Sequence, residues 1–568
     1  MPEFTQPQRS VNYSGVDKTF DSMAGLQGSK HTTCKTVRPS KPLGFRLFVA
    51  SLLLATFLAG FCWHSVVTEA SNRPASSKIA ANKNRRYRQL LYYRSLHKQY
   101  HRRFTQQLEE LAQACERQGL VQAAAQIRKQ ITPFQPDLLD FSPLPEQVHS
   151  KLDPSKLPAD RQWQAQLQTL CNQYAQELYM LSRRVLRAGF PSYAYTLICQ
   201  VAHYNPDHLQ ARRLLGYERY KGRWVTPFTA YMLRRHYVWS DRFGWLPEKH
   251  LPRYERGERY FQGWISAAEE QKLRSDFRRA WQIRTEHYLI RTNYSLEGGV
   301  EMARALEFFH QYLRQSLVAF FYTPQQLQRL FEGRASNRVS LPKPHVVYFF
   351  RTKSEYVQLL QDRIPQAGIT NGMYIPEDRI VYTYYNPDPS ADMRGTLFHE
   401  STHQLLFESL VPPHPIADNA NFWAIEGIAC YMESAELGPK GIVRVGNPGY
   451  SRFQIARYRY VKDGFYIPLA QFTRMGKDEF QHHPQIARLY TQAAGLTYFF
   501  LHYDGGKYKD AFVQFLAQIY GVNSRRKPTR VQSLAELTGV SFEELDKQYG
   551  QFMRSLPNLL PPGATISD

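Results

Sequence analysis

Near residue 280 the spacing of apolar residues changes, and this constrains the fold more than any other feature. Upstream, residues 85–130 and 161–215 place apolar side chains three and four apart, the period of amphipathic helices. The stretch "ELYMLSRRVLRAGFPSYAYTLICQVAHYNPDHLQARRLLGY" reads as a helical-repeat hairpin, with "NPDH" opening a further helix. Downstream, "EHYLIRTNYS" alternates as a strand and "GGVEMARALEFFHQYLRQSLVAFFY" returns to the helical period. "PHVVYFF" is a short apolar strand, "TKSEYVQLLQDRI" a Thr-capped helix and "DRIVYTYY" another strand. Helices are expected at 394–409, 422–437, 484–503, 507–520 and 541–555. A sheet with helices, then a mainly helical half, predicts an α+β domain over 280–556. A mainly helical, partly repeat-like region over 77–275 precedes it. Such regions serve as scaffolds or docking surfaces more often than they carry chemistry.

Within the helical region, "ERYKGRWVT" (Glu218–Thr226) and "ERYFQGWIS" (Glu258–Ser266) echo each other 40 residues apart. Each reads as a small turn with a packed tryptophan, so Trp224 and Trp264 are expected to be structural.

The stretch "TLFHESTHQLLFES" holds His399 and His403 four residues apart, with Glu400 between them. It has no glycine or proline after Gly395, and Leu397, Phe398, Leu405 and Leu406 form an apolar stripe. A helix there puts both imidazoles on one face, one turn apart, where they can grip one Zn²⁺. Glu400 is rotated by about 100° from His399. It can take a proton from zinc-bound water, whose pKa falls to about 7, and pass it to a leaving amine. Two histidines on an ordinary helix would present the same pattern. The second helix, "FWAIEGIACYMES", weighs against that reading. Its Glu426 stands among Trp423, Ile425, Ile428 and Ala429. A lone carboxylate in such surroundings is costly unless a cation pairs with it. It would supply the third protein ligand of a catalytic zinc site and leave the fourth position for water. Cys430, one turn on, reads as a small buried hydrophobe. Tyr490, Tyr431 and His414 are candidate donors to a developing oxyanion, Tyr490 first among them. "NGMYIPEDRIVYTYY" could offer an edge strand to an extended peptide, or be simply a sheet strand.

These features resemble the gluzincin-type, peptidase-MA-like zinc metallopeptidases over roughly 280–556. More specifically, the chain looks like a bacterial zincin-like domain family of unassigned function. That family carries "HExTHQL", "W-x-x-EG-x-A-x-Y", "Y-x-Q-A" and "DGGxY". Here these are His399–Leu405, Trp423–Tyr431, Tyr490–Ala493 and Asp504–Tyr508. The resemblance implies a zincin-like fold, Zn²⁺ held by His399, His403 and Glu426, and Glu400 as general base acting on a peptide or protein substrate. The chain departs from thermolysin-like enzymes in having 22 residues between His403 and Glu426, and in having Cys430 where they have an Asp that orients a histidine. No Gly-Ala-Met-Glu-Asn stretch precedes the site.

Outside that region, "LFVASLLLATFLAGFCW" (Leu47–Trp63) carries no charge and follows Lys35, Arg38, Lys41 and Arg46. Residues 43–67 are therefore expected to be a signal peptide or membrane anchor, behind a polar, disordered segment over 1–42. This implies an exported or membrane-anchored protein of the cell envelope. The net charge of +23 suggests an anionic neighbour. Residues 78–103, basic and interleaved with tyrosines, are a candidate contact for anionic lipid or polymer; a solvated helix face is the other reading. An exported chain is not expected to meet nucleic acid. The six cysteines are scattered without a CxxC pair, so no thiolate zinc site is expected. The functional expectation is zinc-dependent peptide-bond hydrolysis, set against a non-catalytic zincin-fold binding or scaffold protein of the envelope.

Overall fold

In the computed structural model the described residues are 73–137, 144–148, 158–333, 343–388, 392–409, 415–439, 441–522 and 530–560, with side chains from residue 86 onward. The expectations for 1–42 and 43–67 lie outside them. No helix among the described residues is long and apolar enough to cross a membrane.

Three long helices open the described chain: α1 (Arg73–Arg117), α2 (Pro158–Arg187) and α3 (Pro191–Tyr204). Each has proline in its first turn, where a missing amide donor costs nothing. Gly189 turns the chain between α2 and α3 at φ +86°. Their shared core joins leucines and small residues such as Leu108, Ala112, Ala175 and Leu178 to aromatic side chains such as Phe104, Trp163 and Tyr174.

Three antiparallel hairpins follow: β1–β2 (Glu218–Tyr220, Arg223–Val225), β3–β4 (Tyr237–Ser240, Gly244–Pro247) and β5–β6 (Glu258–Tyr260, Trp264–Ser266). The sequence echo is the first and third of these. A middle unit halves the apparent period, and a short helix follows each hairpin. Trp224 is buried, donates its indole N–H to Asp207 at 2.6 Å and lies 4.4 Å under the Arg219 guanidinium. Trp264 packs 3.8 Å under Arg253. Both tryptophans hold their own turns together.

The second half is built on a five-stranded mixed sheet. Its strands are β7 (Trp281–Arg284), β8 (Tyr288–Thr292), β9 (His345–Phe350), β10 (Gly372–Ile375) and β11 (Ile380–Tyr384). They run in the order β10-β11-β9-β8-β7, with β8, β9 and β11 parallel and the two outer strands antiparallel. Between β8 and β9 the chain forms α4 (Leu296–Ser316), which packs on β7 and β8. Gly299 permits this approach, since a Cβ there would stand 2.6 Å from Ile283 Cδ1. The α+β expectation agrees with this architecture.

After the sheet come α5 (Met393–Phe407), α6 (Phe422–Met432), α7 (Ser451–Val461), α8 (Ile486–Gly506), α9 (Lys509–Tyr520) and α10 (Phe542–Ser555). The helix expected to reach 437 ends at Met432. Ser434 Oγ there accepts from the Gly446 amide at 2.9 Å, and 436–438 pair with 441–444 as a small hairpin. Near the end of α8, Asp504, Gly505 and Gly506 turn left-handed (φ 50°, 66° and 80°). The Arg94 guanidinium of α1 lies against this break, and Tyr87 donates to the Asp504 carbonyl at 3.4 Å.

Candidate metal centre

The site rests on α5, whose start is fixed by its cap. The Asp392 carboxylate accepts from the Gly395 amide at 2.7 Å. A Cβ on Gly395 would lie 2.2 Å from that carboxylate, so the cap requires glycine. Gln404, fully buried, donates to the carbonyls of Val346 at 3.0 Å and Arg379 at 3.3 Å. It pins α5 to β9 and to the β10–β11 turn. Phe398 stacks on Phe309 of α4, with ring centroids 4.5 Å apart.

On the face thus fixed, His399 Nε2 and His403 Nε2 are 3.1 Å apart. α6 brings Glu426 to them from the other side, with Oε2 at 3.4 Å from His399 Nε2 and 3.6 Å from His403 Nε2. Helix α6 can come this close because Gly427 lies against α8. A Cβ there would stand 2.4 Å from Thr497 Oγ1 and 2.7 Å from the Ala493 carbonyl. All eleven residues of α6 are buried, and Glu426 is 5 % exposed. Its Oε2 has no hydrogen-bond partner among the described residues. A tetrahedral ion with ligands at 2.0–2.2 Å separates its donor atoms by roughly 3.4 Å. The three observed separations bracket that value, and a buried, unpartnered carboxylate oxygen is what a cation would satisfy. The residues present therefore fit Zn²⁺.

The electrostatics agree with that fit. Burial disfavours charge on His399, yet its contacts with Cys430, Glu426 and Glu433 hold its pKa well above the ordinary histidine value. Burial pushes the Glu426 carboxyl up, and the two imidazoles more than reverse this, leaving it well below the usual carboxylate range. One divalent cation here would serve both imidazoles and the Glu426 carboxylate.

Glu400 extends from α5 to the sheet edge. Its Oε2 accepts from the backbone N–H of Tyr374 on β10 at 2.6 Å. Burial raises its pKa and the imidazoles of His399 and His403 partly offset this, so the net direction is upward. A carboxylate shifted upward is better matched to proton transfer near neutral pH. Tyr490 of α8 also reaches the site. Burial, then the charge of Glu426, raises its phenol pKa far above the ordinary value, so the hydroxyl stays protonated as a donor. Tyr431 is directed elsewhere, its hydroxyl 2.8 Å from His502 Nε2. His414 lies outside the described residues.

The group that orients His399 was not anticipated from sequence. It is Glu433, whose Oε1 is 2.7 Å from His399 Nδ1. Its other oxygen accepts from the Tyr450 hydroxyl at 3.0 Å and from Arg452. Glu433 lies seven residues after Glu426, two turns along the same face, a spacing that could have revealed it. Cys430 is fully buried, as expected, and lies beside His399 and Glu433, with its sulfur within 4.8 Å of their ligating atoms.

Residues 394–530 match a family model described as a protein of unknown function, DUF1570. The chain is similar to that family from the start of α5 to beyond α9. The matched stretch includes His399, Glu400, His403, Glu426, Glu433 and Tyr490. No curated protein matches the chain.

Proposed function

We propose that the chain is a zincin-like, zinc-dependent hydrolase of peptide bonds, exported or held at a membrane by residues 43–67. One observation carries the reading: His399, His403 and the unpartnered Glu426 oxygen converge at 3.1–3.6 Å from two separate helices. A Zn²⁺ ion held by these residues would supply Lewis acidity toward a scissile carbonyl and acidify a water molecule.

The chain's own residues would do the rest. Glu400, oriented by the Tyr374 amide, takes a proton from the attacking water on its free oxygen and delivers it to the departing amine nitrogen. Tyr490 keeps its proton and offers it as a hydrogen bond to the carbonyl oxygen as charge develops there. Glu433 holds the His399 ring in one orientation and tautomer, with Nδ1 protonated and Nε2 free. β10 is an outer strand beside Glu400, and since its Tyr374 amide already bonds Glu400, an extended polypeptide would pair with the rest of that edge and not with this residue.

The test is the metal content of the full chain together with a Glu400→Gln variant assayed on a broad peptide library. Wild type is expected to retain one zinc at this site. Glu400→Gln should keep the zinc and lose activity by about 10²–10⁴-fold. Absence of zinc, or equal cleavage by both proteins, would overturn the reading. Partner binding that survives in Glu400→Gln, without cleavage by wild type, would favour a scaffold.

A further inference from the structure

A second group of donors, made of other residues than the first, lies where α4 meets the turn between β7 and β8. On α4, Glu307 and His310 are three residues apart and share one helix face. The turn between β7 and β8 brings His287 over them. Its Nδ1 is 2.7 Å from Glu307 Oε2, and its ring stacks on His310 with centroids 3.7 Å apart. One donor atom from each of the three lies within 4.8 Å of the other two. His310 is 9 % exposed, with its ring packed against that of His287. Beside them the Tyr288 hydroxyl is fully buried and has no hydrogen-bond partner among the described residues, close to Glu307 and Glu408. Burial keeps His310 neutral, the form that binds metal. The nearby cations are committed elsewhere: Arg284 donates to backbone carbonyls of Glu286 and Tyr288, and Arg314 to the Tyr322 hydroxyl.

We propose that His287, Glu307 and His310 form a second site for a divalent transition cation with nitrogen and oxygen preference, such as Zn²⁺. The ion would take the place of the proton held between His287 and Glu307. Its role would be structural. His345, whose ring lies 6.2 Å from that of His310, pairs at 2.8 Å with Glu408, the residue that closes α5. A cation here would brace the far end of the helix that carries His399 and His403.

The test uses the full chain with the first site removed (His399→Ala/His403→Ala), loaded with Co²⁺ as probe. One equivalent of bound cobalt, d–d absorption of a nitrogen–oxygen site and a raised thermal midpoint are expected. All three should be lost on adding His310→Ala. If the doubly substituted protein binds no cobalt, the proposal is overturned. It is equally overturned if binding is unchanged by His310→Ala. The outcome is independent of the catalytic reading: were the first site never to hold metal, wild type would still bind one equivalent, lost in His310→Ala.

Discussion

Glu433 shows how much of a site can hang on one residue outside the motif. It fixes the His399 ring from behind, so Glu433→Gln should weaken zinc binding by about 10–100-fold while leaving His403 and Glu426 in place. Chelator competition would measure the loss. His97 of α1 makes a different prediction. It is 1 % exposed, 2.9 Å from the Tyr193 hydroxyl, and burial lowers its pKa to about 3, with His101 adding to the shift. The unfolded chain binds this proton from about pH 6.5 downward. The contribution is therefore fully present above pH 6.5 and lost as pH falls toward 3, by an amount on the order of a few kcal/mol. Denaturant midpoints measured across that range should show the slope in wild type and a shallower one in His97→Gln. At this scale the sequence was readable where a period set the geometry. His399, His403 and the apolar surroundings of Glu426 follow from helical spacing. The Tyr374 amide on Glu400 does not, because it depends on which strand the sheet places beside α5.

Elements were legible where local signals mark both ends. The Thr352 cap, the helix that carries His399 and the strand at 288–292 stand where the sequence pattern put them. The end of α6 was hidden because Glu433 and Ser434 continue a helical pattern, and only the distant Gly446 amide turns the chain away. The middle hairpin was hidden too, because its first strand reads Tyr-Val-Trp-Ser where those of its neighbours read Glu-Arg-Tyr. Packing between elements gives a sharper test. Gly427 lets α6 touch α8, so Gly427→Ala must push the two helices apart. A loss of about 1–3 kcal/mol is expected, read by thermal or denaturant unfolding. Glu426 should move with its helix, so zinc retention is expected to fall in the same protein.

Across the whole molecule, the break at Asp504–Gly506 joins the two halves of the described chain. A Cβ on Gly505 would meet Arg94 Nη1 at 2.5 Å, and its φ of +66° disfavours any side chain. Gly505→Ala should therefore destabilise by roughly 1 kcal/mol or more and release α1 first. Hydrogen exchange confined to α1 would reveal it, with the zinc site left intact. The order of strands in the sheet, unlike the motifs, was not readable in one sequence, since it depends on contacts between residues far apart in the chain. One consequence of that order concerns self-association. β10 is an outer strand, and an outer strand offers its free amides to any other sheet that drifts past. Here the Tyr374 amide is already taken by Glu400, so a foreign strand would find the ladder interrupted at that residue. The carboxylate proposed to move protons thus also guards the sheet's open side, and replacing it with alanine should leave a protein more prone to aggregate.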